Sequence, residues 1–226
     1  MIAKNENVPN RHPSERRFAL EERRRVAEMS AEEMLRELLT SQVTGLPNRR
    51  AFDEAGNAPA VAMADMDGLK ALNKYGYYVG NAVLFAMARV LLQVGLKAFH
   101  DKGDEFLCSN SNDEELLTKL ERARAVLSGT TVAVKRSDGS TLTITGADFS
   151  YGVGKDLDEA ESGLRRQKTE REHAGEIARG ELRGVIVSLH RHESRNSSAE
   201  LQNSTAVPVV HPSPAVAIDS LSLLLP

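Results

Sequence analysis

A single cysteine in 226 residues excludes an intrachain disulfide and any cysteine-rich metal site. Cys108 lies in an apolar stretch, where a thiol serves as a small hydrophobe rather than a nucleophile. Long apolar runs are missing too. The longest, Ala82 to Val94, is interrupted by Arg89 and is too short to cross a bilayer. The first residues lack the apolar core of a secretory signal, so the expectation is a cytoplasmic protein with no membrane partner. Positive charge is not in excess: 29 Lys and Arg stand against 32 Asp and Glu, and a net charge of -3 gives no case for a nucleic-acid partner. No internal repeat is present. Gly152-Val153-Gly154-Lys155 lacks the earlier glycine and the following Ser or Thr of a P-loop. His173, His190 and His192 have no spacing that suits a helical metal site and read as surface histidines.

What is there is ordinary for a soluble globular chain, 41% hydrophobic and 27% charged, and long enough for one domain with extensions. Residues 1 to 40 read as a helical lead. Pro13 can open a helix through Glu21 and Arg25, with Phe18, Leu20, Val26 and Met29 as a loose apolar stripe. Ser30 with Glu33 forms a capping box for a second helix carrying Met34, Leu35, Leu38 and Leu39. This Arg- and Glu-rich lead is either a solvated helix with paired charges or a short dimerising helix. The first is favoured, because the apolar positions hold no heptad for long.

From Thr44 the texture changes. Gly45 to Asn48 is a turn, and Ala60 to Met66 reads as a buried strand ending in acid. Asn81 to Leu96 has helical periodicity. A strand, a hairpin at Lys102 to Glu105 and another strand follow, and Asp113 can cap a helix through Leu127. Two β segments, Thr131 to Lys135 and Leu142 to Val153, flank the turn Ser137 to Ser140, and a charged helix spans Leu157 to Ala174. The domain is placed at 41–182, and 183–226, with its brief apolar run Val185 to Leu189, is expected to be a flexible tail. The β-α-β-β-α-β-β-α alternation predicts an α/β palm with a ferredoxin-like core, its central, mostly antiparallel sheet flanked by helices.

Two acidic strand ends carry the chemistry. Asp65-Met66-Asp67 closes the first strand, and Asp104-Glu105 sits in the hairpin. A magnesium ion bridging nucleotide phosphates needs only one or two protein carboxylates, with phosphate oxygens and water completing its shell. Phosphoryl transfer needs cations as well, and Lys70 and Lys168 are candidates. Solvated acids at turns, and one more charge on a solvated helix for Lys168, are the bland alternatives.

Six blocks in order resemble the GGDEF family, the diguanylate cyclases, over roughly residues 41 to 180. Val43 to Phe52 is similar to the opening LTGLPNRRAF, and Asp65 to Asn73 to DxDxFKxxN. Gly76 to Leu84 resembles GHxxGDxxL, and Lys102-Gly103-Asp104-Glu105-Phe106 resembles GGDEF itself. Phe149 to Val153 is similar to the late SIGV strand, and Leu164 to Lys168 to the LYxAK helix. The resemblance implies a GGDEF-type palm. It implies Mg2+ (or Mn2+) on Asp65, Asp104 and the Met66 carbonyl, with Glu105 assisting and Asp104 activating a ribose 3′-hydroxyl. Lys70 and Lys168 would steady phosphates, and Asn73 would read the guanine edge. Two GTP would become cyclic di-GMP across a homodimer.

The chain departs from that pattern at named places. Lys102 replaces the first hairpin glycine, a strained exchange of roughly 1–3 kcal/mol if that position needs a positive φ. Asn81 stands where the family has a guanine-binding Asp, and its neutral amide offers a donor as well as an acceptor. Tyr77 replaces a His, the stretch from Asn73 to Gly76 is one residue short, and His100 replaces an Arg. Gln93 to Leu96 occupies the position of the product-inhibition motif. Two functions stay open: an active cyclase, with relaxed base choice as a variant, and a silent GGDEF module that binds GTP or a protein partner.

Overall fold

The computed structural model describes Arg25 and residues 27–56, 58–177, 181–182 and 184–190. The chain divides into two compact units, Met1–Thr40 and Ser41–Pro226. In the first, helix α1 (Ala31–Leu39) opens on the expected capping box. The Ser30 hydroxyl accepts from the Glu33 amide at 3.2 Å, and the Glu33 carboxylate accepts from the Ser30 amide at 2.7 Å. No residue of α1 is buried, and Met34, Leu35 and Leu38 are exposed. The helix expected from Pro13 lies almost wholly outside the described residues.

In the second unit the chain runs through α2 (Arg49–Glu54), β1 (Ala60–Met66), α3 (Leu69–Leu72), a 3-10 turn (Asn73–Tyr75) and α4 (Tyr77–Gln93). It continues through β2 (Lys97–Lys102), β3 (Glu105–Asn110), α5 (Asp113–Ser128), β4 (Val132–Lys135), β5 (Thr141–Thr145), β6 (Phe149–Gly154), α6 (Leu157–His173) and β7 (Ile186–His190). Four strands form an antiparallel sheet in the order β2-β3-β1-β6. With α4 and α5 as its crossovers, β1-α4-β2-β3-α5-β6 is the split βαβ of a ferredoxin-like core. A second antiparallel sheet, β4-β5-β7, accompanies it.

The central strand has apolar residues on both faces because both faces are covered. Ala60, Ala62, Ala64 and Met66 alternate into one core cluster with Val83, Leu84, Met87 and Leu91 of α4 and Leu116 and Leu120 of α5. Val61 and Met63 point the other way, to Phe99, Leu107, and Ala160 and Leu164 of α6. Helix α6 lies hard against β6. A Cβ on Gly152 would stand 2.1 Å from both the Ala160 carbonyl oxygen and the Leu164 amide nitrogen, so only glycine allows this approach.

The structure corrects several expectations. Leu142 to Val153 is not one strand: the chain turns at Gly146-Ala147-Asp148, so β5 joins the small sheet and β6 the central one. Residues 186–190 are not a flexible tail but strand β7, which pairs with the free edge of β5 from Thr145↔Ile186 to Thr141↔His190. The driving contacts are tertiary, since Leu182, Val185 and Val187 pack against the main core. Asn112, rather than Asp113, caps α5, its side chain accepting from the Glu115 amide at 2.8 Å. Helix α4 starts at Tyr77, four residues before Asn81. The rest of the expected tail lies outside the described residues.

Candidate active site

The hairpin between β2 and β3 places its special geometry on the glycine that is present. Lys102 is the last residue of β2 and pairs with Glu105, leaving Gly103-Asp104 as a two-residue loop with the positive φ of 56° on Gly103. Lys102 therefore carries none of the strain a left-handed position would impose. Its ammonium lies 3.4 Å from the Glu105 carboxylate across the hairpin, a solvent-screened pair.

The hairpin is tied down from both sides. The Met66 amide donates to the Asp104 carbonyl at 3.0 Å, bringing Asp104 to the end of β1. Buried His100 has Nε2 3.2 Å from the Gly103 carbonyl and Nδ1 2.6 Å from the Ser41 hydroxyl, and its ring lies 4.8 Å from that of Phe106. A neutral imidazole protonated on Nε2 satisfies both contacts, donating to Gly103 and accepting from Ser41. Burial holds its pKa below the ordinary histidine value, against the pull of the Gly103 carbonyl, Asp101 and Asp104.

At the end of β1, Asp65 and Asp67 share a parity and face α6. Asp65 stands opposite Glu105 on one side and Ser150 on the other. Lys168 of α6 reaches it with Nζ 2.6 Å from Oδ1. Burial nevertheless pushes Asp65 up to about 6, Lys168 opposing the rise and the charges of Asp104 and Asp67 adding to it. Asp67 has denser partners. Arg171 Nη1 donates to it at 2.7 Å, and the Ser150 hydroxyl lies 3.0 and 3.1 Å from its two oxygens. Burial raises its pKa, with Arg171 and Ser150 opposing. Asp148 is gripped by Arg124 at 2.9 and 2.7 Å and also accepts from Arg171. Burial alone would raise Asp148, but the two guanidiniums outweigh it and lower the carboxyl.

These groups surround a cavity of about 700 Å³. Asp65, Met66, Asp104, Lys70 and Lys168 line it, so the structure brings together most of the residues expected to act on metal and phosphates. Three others lie outside its lining. Glu105 pairs with Lys102, and Asn73 packs its amide oxygen where a Cβ on Gly80 would stand, 2.1 Å away. Asn81 is exposed on α4 beside the exposed Tyr77 and Tyr78. Arg124, Arg165 and Arg171 join the lining without having been singled out in the sequence. Arg171 follows Lys168 by three residues, one turn along the same helix face, which is the signal that was available.

Among the described residues no three His, Cys, Asp or Glu side chains are placed to hold a metal by themselves. The donor set does suit Mg2+ or Mn2+ shared with nucleotide phosphates, which takes one or two carboxylates. Of the aspartates on the cavity wall, Asp67 and Asp148 are held by arginines, whereas Asp65 and Asp104 are not.

No protein-family model and no curated protein matches this chain. The solved structures similar to it are GGDEF-domain proteins. The coiled coil and GGDEF domain of DgcB from Caulobacter crescentus, in complex with c-di-GMP, is 23% identical, with a TM-score of 0.49 over 73% of this chain and 96% of that one. Diguanylate cyclase SiaD from Pseudomonas aeruginosa, with its activator SiaC, is 24% identical, with a TM-score of 0.47 over 70% and 71% of the two chains. The FimX GGDEF domain from Pseudomonas aeruginosa is 16% identical, with a TM-score of 0.48 over 61% and 95%. No helix among the described residues is long and apolar enough to cross a membrane.

Proposed function

We propose that this chain is a diguanylate cyclase-like nucleotidyltransferase that condenses two GTP into cyclic di-GMP, using Mg2+ (or Mn2+) in a homodimer. The observation that carries the reading is the gathering of Asp65, Asp104, Lys70 and Lys168 around one cavity at the end of the central strand. The ordered motif blocks support it. In each half-reaction the ribose 3′-oxygen of one GTP attacks the α-phosphorus of the other. A P–O bond forms, the bond to pyrophosphate breaks, and the hydroxyl proton passes to Asp104 as general base. Two such steps give one cyclic di-GMP and two pyrophosphates. A bound metal would neutralise charge on the phosphate oxygens.

The chain's own residues divide the remaining work. Lys70, exposed on α3, and Lys168 offer cations to the triphosphate. Lys168 also sits on Asp65, so a triphosphate that draws the ammonium away leaves the carboxylate to the metal. Asn73 and Asn81 would meet the base. Incubation of the purified protein with Mg2+ and GTP, ATP or both, with the products resolved by chromatography, tests the reading. Cyclic di-GMP is expected. GTP binding without product supports instead a silent module that binds GTP or a protein partner. Specific observations favour this second reading: Lys102 engages Glu105, and both asparagines lie outside the cavity. An adenine-containing product would assign relaxed base choice to Asn81.

A further inference from the structure

Arg171 is heavily bonded among the described residues, and the reaction outlined above does not use it. It is 8% exposed, and every nitrogen of its guanidinium has a partner. Nη1 donates to Asp67 at 2.7 Å, to the Ser150 hydroxyl at 2.8 Å and to the Phe149 carbonyl at 3.2 Å. Nη2 donates to Asp148, and Nε to Glu176 at 3.0 Å. Asp67 directly follows β1, and Asp148 directly precedes Phe149 and Ser150 at the start of β6, so one side chain of α6 fastens the helix to the acidic ends of two strands. The Asp67 amide, bonded to the Asp148 carbonyl at 3.0 Å, closes the same corner.

Lys168 lies one turn earlier on the same face, 2.6 Å from Asp65. Its neighbour Gln167 accepts from the Tyr151 amide at 2.6 Å, which holds the turn from the other side. Without Arg171 the last turns of α6 keep, among the described contacts to the strand ends, that one neutral bond and the single Lys168–Asp65 ion pair, together with the packing of Leu164. We propose that Arg171 is a positioning residue, the pin that sets the end of α6 on β1 and β6 and thereby keeps Lys168 on Asp65. It also fixes which acid is available, since Asp67 is bound into the pin and Asp65 is not. The pin is independent of the cyclase reading; its consequence for nucleotide binding rests on that reading.

The test uses the full chain and two readouts. In the first, surface amines are acetylated with an N-hydroxysuccinimide ester and each lysine is followed by mass spectrometry. Arg171→Met should acetylate Lys168 roughly fivefold faster as the helix end opens locally, while Lys70 changes less than twofold. Arg171→Lys keeps the charge but reaches fewer acceptors, and should give an intermediate rate. An unchanged Lys168 rate in folded Arg171→Met overturns the proposal. If that variant does not fold, an unchanged rate in Arg171→Lys does so.

The second readout is affinity for α,β-methylene GTP with Mg2+. Arg171→Met and Lys168→Ala should each weaken binding roughly tenfold, the loss of one charge-assisted hydrogen bond, and the double variant no further. Additive losses would show that Arg171 acts separately from Lys168 and sink the positioning role. A Lys168→Ala protein that binds as well as the parent removes the nucleotide role of Lys168, while the acetylation result still decides the pin.

Discussion

Asp65 and Asp67 stand two residues apart on one strand end, face the same helix, and have opposite surroundings. Asp67 is saturated by Arg171 and Ser150, inside a network that also neutralises Asp148 with Arg124. Asp65 has one lysine for a partner, and burial, reinforced by the charges of Asp104 and Asp67, lifts its pKa to about 6. Asp65 lies in β1 and Asp67 just beyond its end, and their partners set them apart. A saturated carboxylate fastens elements together, whereas a carboxylate with one movable partner on a cavity wall can exchange it for a metal or a phosphate-bound ion. The site therefore consists of a fixed half, whose carboxylates are held by arginines, and a second half, whose carboxylates are not.

The most severe way to break the second half is Asp104→Ala. Loss of the general base should lower cyclic dinucleotide formation on the order of 10²–10⁴-fold with little change in thermal midpoint. Product formation at the parental rate would remove Asp104 from its assigned role. For the fixed half, Asp67→Ala leaves the buried Arg171 short of one of its three carboxylate partners, and urea unfolding should show a loss of about 1–3 kcal/mol. Asp65→Asn should show no such loss. If the two variants are equally destabilising, the contrast between the halves is wrong.

Gly152→Ala tests the seat of α6 itself. Its Cβ would collide with the backbone of Ala160 and Leu164, so a loss of about 1–3 kcal/mol and weaker Mg2+-nucleotide binding are expected together. Stability lost without any change in binding would separate the helix seat from the site.

The pH dependence sharpens the comparison further. Because the folded pKa of Asp65, about 6, lies above the unfolded value near 3.8, the folded state binds more protons between those values. The contribution of Asp65 to stability is thus present below about pH 4 and falls as pH rises towards 6; Asp65→Asn should flatten that part of the stability curve. The affinity for Mg2+ has the opposite sign and should weaken as pH drops below about 6, since the metal needs the ionised form. A metal affinity flat from pH 7 to 5 would contradict Asp65 as ligand. The smallest effect belongs to Lys102→Gly. With its pair to Glu105 screened at the surface, stability should change by no more than about 0.5 kcal/mol, and product formation measures whether Lys102 restrains the hairpin acids.

Much of this protein was legible in its sequence because the relevant signals are local. The short apolar run of Ala60 to Met66 that ends in acid, the Ser30–Glu33 capping box and the glycine-bearing turn before Glu105 are each written within a few residues. The ordered acids and lysines marked one part of the cavity wall in the same way. The split of Leu142 to Val153 between two sheets was not legible, because either half could extend the other until pairing partners were present. Nor was strand β7, whose short apolar run becomes a strand only where β5 offers an open edge. The fates of Asp65 and Asp67 were the least legible of all. Arg171 lies 104 residues from Asp67 and Ser150 lies 83 from it, so nothing near the pair distinguishes one acid from the other. Sequence alone determined that carboxylates and lysines would meet at a strand end. The tertiary structure decided which carboxylate was held by an arginine and which by a lysine at the cavity wall, because burial and counter-charge are set by residues that only folding brings together.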